Sequence, residues 1–155
     1  MENKKTIIAL ISCVSQKTNV PNKAKDLYIS PLFKKTWDYN VKVDKPDGVY
    51  ILSALYGLVR YNIVIEPYDK TLLNMSKEES LEWAEKVFDQ LKNTFEKDGK
   101  TLNDYHFKIY AGTKYYENLA KVIPSFELPF GKLPIGKRLG ALTTALKTSK
   151  KLSDI

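Results

Sequence analysis

A short segment with two acidic side chains is the first candidate for chemistry in this sequence. Glu66 and Asp69 flank Pro67-Tyr68, and the proline fixes one backbone angle between them. Two carboxylates close to an aromatic ring could act as a general base or stabilise a developing positive charge. The pattern also fits a turn capped by the aspartate, so the segment alone leaves both interpretations open. Asp69 and Glu66 are therefore the predicted catalytic candidates.

A second group of candidates follows the predicted strands. Ligands of open parallel sheets bind beyond the carboxyl ends of the strands, so the residues that follow each strand are selected. Hydroxyl, lysine and aromatic side chains dominate there, a mixture that suits stacking on a base and holding phosphates. The predicted substrate-binding residues, including the tyrosine between the two acids, are Ser12, Lys17, Ser53, Tyr56, Gly57, Tyr68 and Lys114.

Buried strands and amphipathic helices must position these residues, and they alternate along the chain. Short apolar runs predict strands at 5–13, 49–53, 105–111 and 125–128, with a long connection at 54–75. Apolar stripes at helical spacing predict helices after Ser30-Pro31, after the capping box Ser76-Lys77-Glu78-Glu79, after Gly112-Thr113 and from Ile135. This order predicts an α/β fold, a small three-layer α/β/α sandwich with a mostly parallel four-stranded sheet. Residues 1–155 contain no repeat or linker, so one domain is expected.

Several function classes are excluded by what the sequence lacks. Cys13 is the only cysteine and His106 the only histidine, which excludes a disulfide framework and zinc sites with two or three histidines. We expect a buried Cys13, a structural His106, and no metal or cofactor. No Walker loop, dinucleotide fingerprint or nucleophile elbow occurs. The apolar run at the first strand is too short to span a membrane, so we expect a cytoplasmic protein without a membrane partner.

Three segments of the sequence form a specific pattern: Asp26-Leu27-Tyr28-x-Ser30-Pro31-Leu32-Phe33, Ile51-Leu52-Ser53-Ala54-x-Tyr56-Gly57-Leu58 and Glu66-Pro67-Tyr68-Asp69-x-Thr71-Leu72. With the closing Ile135-Gly136-Lys137-Arg138-Leu139, they resemble an uncharacterised domain family of bacteria and phages.

A smaller set, Leu52-Ser53-x-Leu55-Tyr56-Gly57 with Arg60 and Pro67-Tyr68, resembles the YaaA peroxide-stress proteins, which implies DNA binding. The order of strands and helices is similar to the uracil-DNA glycosylase superfamily, which implies a sheet that binds a flipped base. The signature loops of those glycosylases are absent, so a catalytic carboxylate would come from Asp69, Glu66 or Asp26.

Three functions remain open from the sequence. The first is an enzyme that acts on a nucleobase in nucleic acid by N-glycosidic cleavage, with DNA favoured over RNA as the partner. The second is a DNA- or RNA-binding stress or defence protein of the YaaA type, which needs a basic surface and no catalytic carboxylate. The third is an enzyme with a small nucleoside or phosphorylated substrate.

The charge of the chain is segregated along the sequence. The 155 residues include 25 Lys and Arg against 18 Asp and Glu, a net charge of +7, with Arg60 and Arg138 the only arginines. Residues 129–153 contain no acid, whereas the predicted helix at 77–98 is acidic. Such segregation steers a polyanion to one face, and a lysine-rich surface suits phosphates better than base edges. The predicted phosphate-binding residues are Lys137, Arg138, Lys147 and Lys150.

Overall fold

A five-stranded sheet forms the centre of the computed structural model, which describes residues 4–14, 17–131 and 133–154. The strand order is β4-β3-β1-β6-β7, and all neighbouring pairs are parallel except β3 and β4. Two further strands, β2 and β5, form a small antiparallel sheet. The strands are β1 Thr6–Ser12, β2 Asn22–Lys23, β3 Gly48–Ser53, β4 Gly57–Arg60, β5 Val64–Ile65, β6 Tyr105–Tyr110 and β7 Phe126–Glu127.

Helices connect the strands in the predicted order. A π-helical turn, Asn40–Asp44, extends α2, and short 3-10 turns occur at Leu72–Asn74, Leu102–Asp104, Leu119–Lys121 and Leu152–Asp154. In the part of the chain that is described, no helix has the length and apolarity needed to cross a membrane. The α-helices are α1 Ala24–Leu27, α2 Pro31–Tyr39, α3 Lys77–Phe95, α4 Thr113–Tyr116 and α5 Ile135–Thr148.

The sheet lies between two helical layers. Phe95 of α3 packs its ring against Tyr50 and Phe107, whose centroids lie 5.3 and 5.7 Å away on one face of the sheet. Tyr110 faces the other side, where its ring contacts Tyr39 of α2 at 6.4 Å, and α5 packs beside α2. The predicted mixed α/β fold with a mostly parallel sheet is confirmed.

The predicted number of four strands is wrong, because the central sheet has a fifth strand, β4. The predicted connection at 54–75 turns back at Gly57, and β4 pairs antiparallel with β3 in the register Ser53 to Gly57 and Tyr50 to Arg60. Gly57 has a φ of +76° and needs the freedom of glycine. Four residues give too few alternations for the pattern to stand out, and the pairing depends on the turn. The predicted helix after Gly112 is also shorter and consists of α4 followed by a 3-10 turn.

Two of the four predicted helix starts, those of α2 and α3, have the expected side-chain caps. The Ser30 hydroxyl accepts a hydrogen bond from the Phe33 N–H at 3.2 Å, with Pro31 in the first helical position. At α3 the Ser76 hydroxyl accepts from the Glu79 N–H, and a Glu79 carboxylate oxygen accepts from the Ser76 N–H, each at 3.1 Å. Hydrogen bonding of the Glu79 carboxylate to the backbone N–H and then to the side chain of Ser76 lowers the pKa of Glu79. Caps of this kind fix where each helix starts relative to the sheet.

An ionic cluster ties the carboxyl-terminal segment to the sheet. Lys108 of β6 contacts the buried Asp44 carboxylate at 2.8 Å, and Lys151 lies 3.6 Å from the same carboxylate. The Leu152 N–H donates to the Tyr39 hydroxyl at 2.9 Å. His106 belongs to the same edge and contacts Ser125 Oγ at 2.7 Å and Glu127 Oε1 at 3.1 Å. Its contacts connect β6 with β7, far from the carboxyl ends of β1 and β3.

Candidate functional site

Ser53, the last residue of β3, is the centre of a hydrogen-bond network at the carboxyl edge of the sheet. Its hydroxyl accepts from the N–H groups of Leu55 and Tyr56, at 3.2 and 3.0 Å, and donates to the Tyr68 hydroxyl at 2.8 Å. Its backbone carbonyl accepts from Trp83 Nε1 of α3 at 2.9 Å. One buried serine thus joins the strand, the following turn, the helix behind it and the loop that carries Asp69.

Two tyrosine hydroxyls continue this network. Tyr28 and Tyr68 share a hydrogen bond of 2.6 Å, and Tyr56 packs edge-on against Tyr68 with ring centroids 5.6 Å apart. Lys17 Nζ lies 4.3 Å from the centroid of the Tyr68 ring. Burial raises the pKa of both Tyr28 and Tyr68 well above the usual range. Both phenols therefore keep their protons at neutral pH, and either can donate in the hydrogen bond between them.

Cys13 fastens the end of β1 to the beginning of α4. The Cys13 N–H donates to the Leu52 carbonyl at 2.8 Å, and its sulfur lies 3.2 Å from the Tyr115 hydroxyl. The Tyr115 ring packs edge-on against Trp83 at 5.6 Å. Cys13 is only 7% exposed, in agreement with the buried position that the sequence predicted. Burial also raises the pKa of Tyr115.

A cleft of about 450 Å³ opens at this edge of the sheet. The ends of β1 and β6, the first turns of α2 and α5, and the segment 69–73 form its walls. Its volume is in the range of pockets that hold small organic ligands. The charged side chains that line it are four bases and one acid, namely Lys17, Lys70, Lys114, Arg138 and Asp69.

Arg138 is held in place at the wall of the cleft. Its guanidinium lies 5.1 Å from the centroid of the buried Phe130 ring, and its Nε donates to the Leu133 carbonyl at 3.2 Å. A guanidinium fixed in this way is suited to a flat, paired contact with a phosphate or carboxylate. The excess of positive charge is chemically suited to an anionic ligand.

Five of the residues that the sequence selected line this cleft. Three others, Ser53, Tyr56 and Tyr68, belong to the hydrogen-bonded network and do not line the cleft. Among the described residues, no group of three or more His, Cys, Asp or Glu has the arrangement of a metal site. The predicted residues in the cleft are Ser12, Lys17, Asp69, Lys114 and Arg138.

The remaining predicted residues lie outside the cleft. Glu66 is exposed and does not line it, and Gly57 lies against Gln90, which bonds to the backbone on both sides of that glycine. Lys137 is exposed beside Arg138. Lys147 is exposed near the other end of α5, about 14 Å from Arg138 by the helical rise, and Lys150 is exposed two residues beyond that end. Lys132, in the basic segment, lies outside the described residues, as do Ser15 and Gln16 after the first strand.

Sequence reasoning missed two residues of the site. Lys70 follows Asp69 directly, and its place in the cleft depends on the path of the segment 69–73. Tyr28 was part of a matched segment but was not selected, because it lies after no strand of the central sheet. A single antiparallel bridge between Lys17 and Tyr28 brings it to the site. The only sequence signal for Tyr28 was its position two residues before the serine-proline helix start at Ser30-Pro31.

The fold and the cleft together define a three-layer α/β protein with a cleft lined by basic side chains at the carboxyl edge of a mostly parallel sheet. A family model described as "Family of unknown function (DUF6884)" matches residues 8–144. The chain belongs to that family. No curated protein and no solved structure matches the chain. All residues that line the cleft lie within the matched span, so the cleft is part of the family's domain.

Proposed function

We propose that the cleft binds one nucleotide of a nucleic acid, DNA in preference to RNA, and that Asp69 promotes hydrolysis of its N-glycosidic bond. The observation that carries this proposal is the meeting of one carboxylate with four cationic side chains in a cleft of about 450 Å³. The lysine and arginine side chains surround the position where phosphates would bind, and the Asp69 carboxylate is available for the sugar. The buried Tyr115 forms part of the wall.

The cations divide between binding and charge stabilisation. Lys17, Lys70 and Lys114 have flexible stems and act as point charges for the phosphates on either side of the bound nucleotide. Arg138, which is oriented by Phe130 and Leu133, offers a planar contact to one phosphate. Binding of this kind positions the sugar without reading the base, so base selectivity belongs to the interior of the cleft.

The proposed reaction needs one carboxylate and one water molecule. Water attacks C1′ of the sugar, the N-glycosidic bond breaks, and its electron pair leaves with the nitrogen of the base. Asp69 accepts a proton from the attacking water and its negative charge stabilises the oxocarbenium-like sugar. The proton then passes to the departing base. The products are a free base and an abasic site.

Two resemblances support this proposal from the sequence. The order of elements is similar to the uracil-DNA glycosylase superfamily, and the strand-end residues around Ser53 and Tyr56 resemble the DNA-binding YaaA proteins. Each is an argument by analogy, and the residues of the cleft carry the chemistry. The YaaA-type alternative, binding without catalysis, requires the four cations and not Asp69.

The test is release of bases from oligonucleotides by the purified protein. Single- and double-stranded DNA with unmodified, deaminated and alkylated bases is incubated, abasic sites are cleaved with alkali, and free bases are identified by chromatography. Replacing Asp69 by Asn is expected to lower the rate by about 100-fold or more, the usual contribution of a general base. Asp89→Asn, an exposed carboxylate on α3, is the matched control.

The outcomes separate the three candidate functions. Base release that depends on Asp69 supports the proposal, whereas a loss in Glu66→Gln alone assigns the role to Glu66. Binding of oligonucleotides without release of any base overturns the enzymatic proposal in favour of the YaaA-type protein. Release from free nucleosides or nucleotides, without binding to oligonucleotides, indicates a small-molecule enzyme.

A further inference from the structure

We propose that the outer face formed by α2 and α5 binds both phosphate backbones of a DNA duplex across one groove. This inference rests on the proposed function only for the role of the cleft, which takes a nucleotide from the bound duplex. The face itself is defined by charge and by the geometry of two helices. The partner that its chemistry fits is a long, regularly spaced polyanion.

The two helical layers carry opposite charges. The segments 31–45 and 135–151, which contain α2 and α5, hold nine basic and two acidic side chains, a net charge of +7. Of the two acids, Asp44 is buried and paired with Lys108 and Lys151. On the opposite face, α3 holds three lysines and five acids. A polyanion is therefore attracted to the α2–α5 face and repelled from the other layer.

The exposed bases of this face fall into two groups at opposite ends of the helices. On α5 the two groups are represented by Lys137 and Lys147, which both lie on the exposed side of the helix, ten positions or about 15 Å of helical rise apart. The major groove of B-DNA is about 12 Å wide, so two strands can contact the two groups at once. A duplex holds its two backbones at a fixed spacing, whereas a flexible single strand does not. The group next to the cleft is Lys34 and Lys137, and the far group is Lys42, Lys45, Lys147 and Lys150, beside Lys151, which pairs with Asp44.

The surface between the two groups leaves room for a duplex. Gly140, Thr143 and Thr144 are exposed along the middle of α5, and a Cβ built on Gly140 meets no atom within 4 Å. No long side chain of α5 stands between the two groups of bases. Arg138, in the wall of the cleft, follows Lys137 of the near group directly, so a bound duplex lies beside the cleft.

The first experiment measures binding of a labelled duplex of about 20 base pairs, two helical turns, by fluorescence anisotropy. The double variant Lys147→Glu with Lys150→Glu is compared with Lys77→Glu with Lys97→Glu, which makes the same charge change in and beside α3. We expect the far-group variant to weaken duplex binding by about tenfold and to lower the salt slope by about 2. The control variant is expected to bind like the unaltered protein.

The second experiment places one charge in the middle of the face. Gly140→Glu adds a carboxylate in open space, and Gly140→Ala makes the same backbone change without charge. Weaker duplex binding by Gly140→Glu, with unchanged binding by Gly140→Ala, supports the proposal. Both variants remove a glycine from a helix interior, so a loss in Gly140→Glu alone does not come from misfolding.

Two results would overturn the proposed face. One is a duplex affinity of the far-group variant within about twofold of that of the α3 control variant, because the loss of two lysine–phosphate contacts must weaken binding. The other is an equal loss for a single strand of the same length. Base release from a short single strand tests the cleft separately. Base release that depends on Asp69, together with unchanged duplex binding by the far-group variant, refutes the proposed face and leaves the proposed function standing. Weaker duplex binding by the far-group variant, without any base release, refutes the proposed function and leaves the proposed face standing.

Discussion

At the scale of single residues, the direction of one hydrogen-bond chain follows from counting donors and acceptors. The Ser53 hydroxyl accepts two backbone N–H groups, so its only proton points to the Tyr68 hydroxyl. Tyr68 in turn shares a hydrogen bond with Tyr28, which is fully buried. A buried polar network in which every member has a partner is rigid. The loop that carries Asp69 is thereby fixed to the sheet through the neighbouring Tyr68.

Tyr68→Phe tests this connection. The variant removes the hydroxyl between Ser53 and Tyr28, and we expect the free energy of unfolding to fall by about 1–2 kcal/mol, since two partners lose a hydrogen bond in a buried place. Urea denaturation followed by circular dichroism measures the change. Tyr61→Phe, whose side chain is 41% exposed, is the control and should stay near the parent value. Equal stability of the two variants would show that the hydrogen bonds of the Tyr68 hydroxyl contribute nothing to the free energy of unfolding.

The residues of the cleft were largely predictable because they depend on one general rule. Strand ends meet at one edge of a parallel sheet, so Ser12, Lys17, Lys114 and their neighbours converge whatever the details of the loops. Tyr28 depends on a single non-local bridge with Lys17, and no local pattern encodes that contact. The predicted role of Asp69 remains a prediction that base release decides.

At the scale of elements, the turn between β3 and β4 is the feature with the strictest local requirement. Gly57 has a left-handed backbone, and a Cβ there would collide with Gln90 Oε1. That oxygen accepts from the Leu58 N–H at 2.8 Å, while Gln90 Nε2 donates to the Tyr56 carbonyl at 3.1 Å. Gln90 of α3 therefore provides hydrogen-bond partners for the backbone groups of the turn, and the absence of a side chain at Gly57 leaves space for it.

Two glycine-to-alanine substitutions should have opposite effects. Gly57→Ala is expected to destabilise the protein by about 2 kcal/mol, because it forces a left-handed residue and displaces Gln90. Gly140→Ala is expected to stabilise it by about 0.5–1 kcal/mol, because alanine restricts the unfolded chain and fits the open helix surface. Thermal unfolding of both variants checks the signs. A stabilising Gly57→Ala would contradict the account of the turn.

The elements that sequence could predict are those with local signals at their ends. The capping box of α3 and the serine-proline start of α2 are correct because each cap involves residues three positions apart. The strand β4 was missed because its four residues have no signal apart from the glycine turn that precedes them. The split helix after Gly112 shows the same limit, since tertiary packing ends α4 after one turn.

At the scale of the whole molecule, one buried carboxylate joins three parts of the chain. Asp44 follows α2, Lys108 lies in β6, and Lys151 follows α5. The Asp44 side chain is 2% exposed and that of Lys108 is 16% exposed. A buried pair of this kind is costly to break from one side, because the remaining charge loses its partner.

Asp44→Asn should therefore lower the free energy of unfolding by about 3 kcal/mol at most, because Glu127 remains 3.9 Å from Lys108 and compensates in part. Adding Lys108→Met removes the unpaired charge, and the double variant should recover most of the loss. A double-mutant cycle in urea measures the coupling. If the double variant loses as much stability as the two single variants combined, the pairing of Asp44 with Lys108 is contradicted.

The position of Trp83 gives the protein an intrinsic optical signal for its cleft. The indole N–H bonds to the carbonyl of Ser53, and the ring rests on Tyr115, whose side chain forms part of the cleft wall. Indole emission responds to the polarity and hydrogen bonding of its surroundings. A ligand that moves Tyr115 or the end of β3 therefore changes the fluorescence of a residue that the ligand never touches. Occupancy of the cleft becomes readable without a label, in a chain whose other tryptophan, Trp37, lies on α2 against Tyr61.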